Sequence, residues 1–415
     1  MLEELRRGNC WEYRALPFLG PVVDGFDDWL RFQGYTLSTR KLYLSLTKGV
    51  DHHLEQHYRC TLIELTAEDW EASQRRLRVH KPDAAPVAGL LHRYLEEKGR
   101  LAALGPRPLD AVASWIERYA EYLGKVRGLE SKTIKGHRFS IARFLGELSS
   151  GEDGFVPERI GIADIERFID ESSSGRCRAT LQHLVAHVRG FLRFLEISEQ
   201  IPAGLGSQID TPRVYRLEQL PRALSWEVVE AFLESIDRHQ PMGLRDYAMF
   251  SLIAQYGLRC SEIAALRLED VRWRARRITI SQRKTKRALV LPLTDSAAAA
   301  LHAYLRAARR AGSPHRQVFL GCRAPYRPIG ATAVAEAFRG CLRRSGLGIP
   351  TQGPHCLRHS FAVHLLRQGT ALKEIGDLLG HGLAESTCMY LRLAVEDLRE
   401  VALPLPSAAG GKGGL

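Results

Sequence analysis

The chain has 415 residues, of which 45% are hydrophobic, and its formal net charge at pH 7 is +12. This length predicts two or three domains, and no apolar run approaches the length of about 18 residues that would cross a membrane. The N-terminus lacks the apolar core of a signal peptide, and none of the eight cysteines forms a Cys-x-x-Cys pair. We therefore expect a cytoplasmic protein with reduced thiols and no membrane partner.

The positive charge is concentrated in the second half of the sequence. Residues 1–212 carry a net charge of −1, whereas residues 213–400, with 29 basic and 17 acidic residues, carry +12. A basic region predicts a polyanionic partner, most simply DNA. Charge alone does not decide this, because many basic surfaces bind nothing specific.

The first half of the sequence is predicted to be helical. Residues 1–104 contain an amphipathic segment at Phe26–Phe32 and helix starts at Leu37 and Thr66. Residues 108–200 repeat this plan with four predicted helices, which are Leu109–Leu123, one that begins at Ser131, one that begins at Ile162, and Arg178–Ile197. The repetition indicates a weak internal duplication.

The basic half begins with an apolar helix and a predicted hairpin. Tyr247–Ala254 has the composition of a buried helix, Arg259 follows its end, and Ser261 is the expected cap of the next helix. The apolar segments Arg277–Ile280 and Leu289–Leu293 flank a basic turn, which predicts a β-hairpin with a charged tip. An ordinary surface hairpin would show the same pattern.

Two more helices are predicted near the C-terminus. Pro354 suits the first turn of a helix, and His355 and Arg358, three residues apart, would share one face of it. A second helix, Leu372–Leu379, is expected to end at Gly380, since glycine adopts the left-handed conformation that closes many helices.

Four side chains in this region are expected to meet at a phosphate, and they are His355, Arg358, His381 and Tyr390. A tyrosine hydroxyl can act as a covalent nucleophile, but its free pKa of about 10 means that it needs activation. Arginine and histidine side chains can stabilise the charge that develops on an attacked phosphodiester. A lone histidine or tyrosine is more often structural, so the prediction depends on the combined order of the motifs.

Together the motifs resemble the tyrosine recombinase (phage integrase) family over about residues 213–400. The resemblance implies six catalytic residues, which are Arg259, Lys284, His355, Arg358, His381 and Tyr390. It further implies a supporting role for Glu262 and DNA contacts from Arg283, Lys286 and Arg287 at the hairpin tip. Lys286 remains a rival for the catalytic role of Lys284, because the two residues lie at the same tip.

The implied fold is mainly α with a small β-sheet or hairpin, in which a SAM-like helical core-binding domain precedes a tyrosine-recombinase catalytic domain. The expected bounds are 105–201 for the core-binding domain, 202–221 for the linker, 222–403 for the catalytic domain and 404–415 for a flexible tail. Residues 1–104 would form an extra N-terminal helical region, which could be a second SAM-like unit.

The implied activity is the site-specific cleavage and rejoining of duplex DNA. In that mechanism Tyr390 forms a 3′-phosphotyrosyl bond, the two arginines hold the phosphate oxygens, and Lys284 protonates the leaving 5′ oxygen. His355 assists proton transfer at the tyrosine, and His381 donates a hydrogen bond to the phosphate. The implied partners are double-stranded DNA and either further copies of the chain, as a tetramer on paired sites, or related recombinases.

No cofactor is expected, and two other functions remain open. The segment His-Cys-Leu-Arg-His lacks the glutamate of a zinc-protease motif, so no metal is predicted. A type IB-like topoisomerase shares this chemistry without needing a second DNA site, and a non-catalytic DNA-binding protein could use the same fold. The full set of six residues argues against the non-catalytic alternative. The long N-terminal region favours an integrase carried on a mobile genetic element. Phage integration, transposon movement and chromosome-dimer resolution all remain open as its role.

Overall fold

The structure is a computed structural model that describes residues 10–58, 61–101, 111–148, 155–213, 222–282, 287–349, 353–380 and 385–394. The chain divides into two units, one comprising residues 1–101 together with 219–415 and the other comprising residues 102–218. The expected flexible tail and part of the expected linker lie outside the described residues.

The N-terminal part of the first unit is a helical bundle with its own core. Its helices are α1 (Cys10–Arg14), α2 (Val23–Phe32), α3 (Leu37–His57), α4 (Ala67–His80) and α5 (Ala85–Glu97). Phe26, Leu44 and Trp70 are fully buried in that core. The helix starts predicted at Leu37 and Thr66 are confirmed within one residue, because Thr36 and Thr66 cap helices α3 and α4 through their side-chain oxygens.

A partly exposed carboxylate connects this bundle to the rest of the first unit. Glu97, the last residue of α5, accepts hydrogen bonds from the Trp29 indole nitrogen at 2.7 Å and from the Arg327 guanidinium at 2.8 Å. The Arg327 and Glu97 side chains are both about 40% exposed, so this ion pair contributes at most about 1 kcal/mol.

The described residues of the second unit form four α-helices. Its helices are α6 (Ala111–Lys125), α7 (Ser131–Leu148), α8 (Ile162–Ser173) and α9 (Arg178–Ile197). Apolar side chains at helical spacing meet in one core, in which Phe144, Phe168 and Phe191 are buried. The predicted helix Arg178–Ile197 is confirmed at both ends.

The C-terminal part of the first unit combines helices with a three-stranded antiparallel sheet. The helices are α10 (Trp226–Glu234), α11 (Pro241–Tyr256), α12 (Cys260–Ala265), α13 (Asp295–Ala307), α14 (Ala331–Ser345), α15 (His355–Arg367), α16 (Leu372–Leu379) and α17 (Glu385–Cys388), with a 3₁₀ helix at Met389–Ala394. The strands are β1 (Val271–Arg272), β2 (Arg277–Gln282) and β3 (Arg287–Pro292), in that spatial order. This architecture confirms the mainly α fold with a small sheet.

The predicted hairpin is formed by β2 and β3. Ile278 pairs with Leu291 and Ile280 with Leu289, and both isoleucines are buried against the helices of the same core. The strand Val271–Arg272 was not predicted, because two residues are too few to show an alternating pattern. Among the described residues, none of the helices combines the length and the apolar character that a bilayer span requires.

Candidate active site

Arg358 is the buried centre of the candidate site. It lies on the second turn of α15 and is 4% exposed. Its guanidinium donates to the backbone carbonyl of Leu379 at 2.7 Å and to the carbonyl of Gly257. The two carbonyls lie at the C-terminal ends of α16 and α11, where carbonyl groups lack partners within the helix. Arg358 therefore joins the ends of two helices that are far apart in sequence.

Gly257 allows this close approach of three helices. It has a φ of 62° and ends α11 in the left-handed conformation. A Cβ atom at this position would lie 2.5 Å from a methyl carbon of Leu379 and 2.8 Å from the ring of Phe361. Glycine is therefore required both by the backbone conformation and by the packing of α15 and α16 beside it.

The second arginine of the site is held by a carboxylate. Arg259 occupies the cap position of α12, and its guanidinium donates to Glu262 Oε1 at 2.7 Å while its backbone N–H donates to Oε2 at 2.8 Å. Glu262 is 4% exposed. The expectation that Ser261 caps this helix is wrong, because Ser261 lies inside it and the capping carboxylate comes from the third helical residue.

Tyr390 lies in the 3₁₀ helix at Met389–Ala394, and only 1% of its surface is exposed. It packs in a small apolar cluster with Phe361, Ile375 and Leu379. Burial raises the pKa of its hydroxyl, and the positive charges of Arg358 and Arg259, together with a hydrogen bond from Arg358, oppose that rise only in part. The structure thus brings Arg259, Arg358 and Tyr390 together.

The positive charge of Arg259 also affects the pKa of Arg358. Burial lowers the pKa of Arg358 to about 10, the charge of Arg259 lowers it as well, and Glu262 and Tyr390 act in the opposite direction. Two guanidinium groups held side by side create a strong positive potential. A phosphate group that binds here would relieve the repulsion between them.

His359 is a site residue that the sequence analysis missed. Its Nδ1 atom lies 3.2 Å from the Tyr390 hydroxyl oxygen, and the two ring centroids are 5.6 Å apart. The available signal was its position four residues after His355, on the same face of α15. His355 itself is exposed at the start of the helix, and its ring centroid is 6.4 Å from that of His359.

Several predicted site residues lie outside the described part of the chain. These are Arg283, Lys284, Lys286 and His381, and of Arg287 only the backbone, at the start of β3, is described. Gly380, which precedes His381, is in contact with Gln282, which lies two residues before Lys284. A Cβ atom on Gly380 would lie 1.7 Å from the side-chain amide of the buried Gln282. The end of β2 and the end of α16 are therefore neighbours.

Two parts of the chain match known protein families. Residues 222–397 match the phage integrase family, and residues 116–199 match the phage integrase N-terminal SAM-like domain. A protein of Sinorhizobium fredii that bears the name integrase/recombinase y4rA is 30% identical over 400 residues, which cover 94% of this chain and 96% of the relative. Tyrosine recombinase XerD of Lacticaseibacillus casei is 29% identical over 68% of this chain and 95% of its own length.

Solved structures show the same fold. The XerH site-specific recombinase bound to its difH substrate after cleavage has a TM-score of 0.53 at 18% identity and covers 69% of this chain and 83% of that one. A lambda integrase dimer bound to a core site has a TM-score of 0.53 at 17% identity, over 67% of this chain and 94% of that one. The chain belongs to the phage integrase family and is a tyrosine-type site-specific recombinase.

Proposed function

We propose that the protein cleaves and rejoins duplex DNA through a covalent bond between Tyr390 and a 3′ phosphate. The observation that carries this proposal is the buried contact of the Tyr390 hydroxyl with Arg358, beside the Arg259–Glu262 pair. A nucleophilic hydroxyl and two fixed guanidinium groups are the parts that attack on a phosphodiester requires. The net charge of +12 on residues 213–400 suits binding to a duplex.

The proposed reaction conserves the energy of the bond that it breaks. The Tyr390 oxygen attacks the phosphorus atom, a 3′-phosphotyrosyl bond forms, and the 5′ oxygen leaves. Arg259 and Arg358 stabilise the non-bridging oxygens, and His381 donates to the same phosphate. Lys284 supplies the proton that the 5′ oxygen takes up. The 5′ hydroxyl of a partner strand then reverses these steps, so strand exchange needs no external energy source.

We assign DNA-binding roles to two domains of the chain. The core-binding domain at 105–201 and the catalytic domain at 222–403 hold the duplex, with 202–221 as the linker between them. Four copies of the chain, or the chain together with related recombinases, assemble on paired sites in the cytoplasm. This assembly is supported by the relatives, which were solved as a lambda integrase dimer on a core site and a lambda integrase tetramer on a Holliday junction.

Covalent complexes trapped on DNA should identify the substrate. The protein is incubated with fragments of the DNA that flanks its gene, denatured rapidly, and the protein-linked 3′ ends are sequenced. We expect the ends to fall at one short sequence, because a recombinase acts at a specific site. Ends scattered over many sequences would favour a topoisomerase, and the absence of any linked DNA would favour a non-catalytic binding protein.

Lys284 is expected to be the general acid for the leaving 5′ oxygen. An alkoxide needs a proton as its bond breaks, whereas a thiolate hardly needs one. Lys284→Ala should therefore cleave ordinary DNA at least about a hundredfold more slowly, which is the usual contribution of a general acid. On a substrate with sulfur at the bridging 5′ position, the rate should return close to that of the wild-type protein.

The neighbouring lysine is the matched control for this measurement. Lys286→Ala should change the single-turnover cleavage rate little with either substrate, because we assign it to the DNA backbone. Rescue of Lys286→Ala in place of Lys284→Ala would exchange the two roles. If the sulfur substrate rescues neither variant, the proton comes from another residue.

A further inference from the structure

Among the described residues, two side chains of different chemistry lie at the Tyr390 hydroxyl. Arg358 hydrogen bonds to it, and His359 Nδ1 lies 3.2 Å away. A guanidinium group has only N–H donors, so Arg358 must donate to a lone pair of the phenolic oxygen. The phenolic proton is then left to point elsewhere, and an unprotonated imidazole nitrogen at hydrogen-bonding distance is an acceptor for it.

The environment of His359 keeps its ring neutral. Burial, followed by the nearby His355 and Arg358, lowers the pKa of His359 to about 4. At neutral pH one ring nitrogen therefore carries a proton and the other can accept one. The tautomer with the proton on Nε2 leaves Nδ1 free to accept from Tyr390.

We propose that His359 accepts the Tyr390 hydroxyl proton as the tyrosine attacks and returns it when the strand is rejoined. In the forward step the Tyr390 oxygen–phosphorus bond forms, the phosphorus–5′ oxygen bond breaks, and the phenolic proton moves to His359 Nδ1. The leaving 5′ oxygen takes its own proton from the general acid, so protons balance on both sides. This role rests on the proposed function and adds a catalytic residue to it.

A bound phosphodiester makes the transfer feasible in both directions. The positive charge of Arg358 disfavours protonation of His359. The negative charge of the bound phosphodiester lies beside Arg358 and offsets that positive charge while attack proceeds. In the reverse step, the protonated imidazole is a strong acid beside a leaving phenolate, which favours return of the proton. The low basicity of the free His359 thus suits the rejoining step.

The arrangement distinguishes His359 from His355. His355 is exposed at the first position of α15, whereas His359 is half-buried one turn further along and in contact with the nucleophile. The expected role of His355 in proton transfer at the tyrosine is thereby assigned to His359. The position of His355 at the exposed helix start suits contact with the DNA phosphate.

The test combines two changes in the full-length protein. His359→Asn keeps a polar group near the place of Nδ1 but provides no base, and difluorotyrosine at position 390 provides a more acidic phenol. The probe is a nicked duplex carrying the trapped cleavage sequence, on which the covalent complex accumulates in a single turnover. We expect His359→Asn to lower the cleavage rate about a hundredfold with tyrosine and less than tenfold with difluorotyrosine, because an ionised nucleophile needs no base.

The same helix offers a matched control. His364 stacks on Trp226 with ring centroids 3.9 Å apart, so His364→Asn should cleave at the wild-type rate with either nucleophile. His355→Asn is measured alongside. Duplex binding by each variant verifies its folding. If His359→Asn does not bind the duplex, His359→Gln replaces it, and its cleavage rates with tyrosine and difluorotyrosine are compared in the same way.

Three outcomes would overturn the role of His359. They are a wild-type rate for His359→Asn, a deficit of equal size with tyrosine and difluorotyrosine, and relief by difluorotyrosine of a His355→Asn deficit alone. In all three the wild-type protein still forms the covalent complex, so the proposed function would stand. A wild-type protein that forms no complex at all would overturn the proposed function and the role of His359 together.

Discussion

Replacing Tyr390 by phenylalanine is expected to abolish the covalent protein–DNA complex and leave the protein folded. The substitution removes only the hydroxyl, and the ring can keep its place in the apolar cluster with Phe361 and Leu379. Loss of the hydrogen bonds of the hydroxyl should change the free energy of unfolding by about 1 kcal/mol. Arg358 retains the carbonyls of Gly257 and Leu379 as partners.

The measurement uses a nicked duplex that traps the covalent complex. The wild-type protein should give a band of reduced mobility on a denaturing gel, and Tyr390→Phe should give none while binding the duplex with similar affinity. Tyr304→Phe is the matched control, because Tyr304 is also 1% exposed and its hydroxyl accepts a hydrogen bond from the Leu320 N–H at 3.0 Å. A covalent complex formed by Tyr390→Phe would show that another residue is the nucleophile.

Removing either arginine of the site is expected to slow cleavage more than it weakens DNA binding. Arg259→Ala and Arg358→Ala each remove a fixed donor to the transition state, which is worth about 3 kcal/mol, or about a hundredfold in rate. Binding depends on many phosphate contacts along the duplex, and one contact among many contributes a smaller share.

The two arginine variants should differ in stability. Arg358→Ala leaves the carbonyls of Gly257 and Leu379 without their buried donor, and each unpaired group costs about 1–3 kcal/mol. The Arg259 side chain is 21% exposed, and in Arg259→Ala the Glu262 carboxylate keeps the backbone N–H at position 259. We therefore expect only Arg358→Ala to lower the thermal unfolding temperature markedly.

The second arginine on α15 provides the control for charge. Arg367 is exposed at the end of that helix, so Arg367→Ala removes one positive charge without touching the site. Its cleavage rate on the nicked duplex should stay within about threefold of the wild-type rate, as expected for a surface substitution. Equal losses of binding and cleavage in Arg259→Ala and Arg358→Ala would mean that these residues only hold the DNA.

Local signals in the sequence were sufficient to predict many elements. The helix Leu372–Leu379 ends where expected, because Gly380 supplies the left-handed closing residue within one turn of the chain. The hairpin follows from the alternation of Arg277–Ile280 and the apolar run of Leu289–Leu293 around a basic turn. Such features depend on residues a few positions apart, so composition and spacing are sufficient to predict them.

Local spacing gave a wrong prediction where two residues, Ser261 and Glu262, could each cap the same helix. Ser261 is a good cap by residue type, yet Glu262 accepts hydrogen bonds from the Arg259 backbone and side chain. The helix therefore starts at Cys260, two residues earlier than a Ser261 cap would allow. The carboxylate has this advantage because it pairs with a guanidinium group that the site holds in place. Neither residue type nor spacing shows that the Arg259 guanidinium is held next to the Glu262 carboxylate.

By itself, therefore, the sequence determined the family, the helical fold and the identity of Arg259, Arg358 and Tyr390 as candidates. Only the tertiary structure decided how these residues act on one another. Arg358 donates hydrogen bonds to carbonyl groups that are 101 and 21 residues away in the sequence, and His359 contacts Tyr390, which is 31 residues away. These contacts arise from the packing of α11, α15 and α16 around Gly257, and the same burial shifts the pKa values of Arg358, His359 and Tyr390. Burial and long-range contact depend on how whole helices pack, which no local pattern encodes.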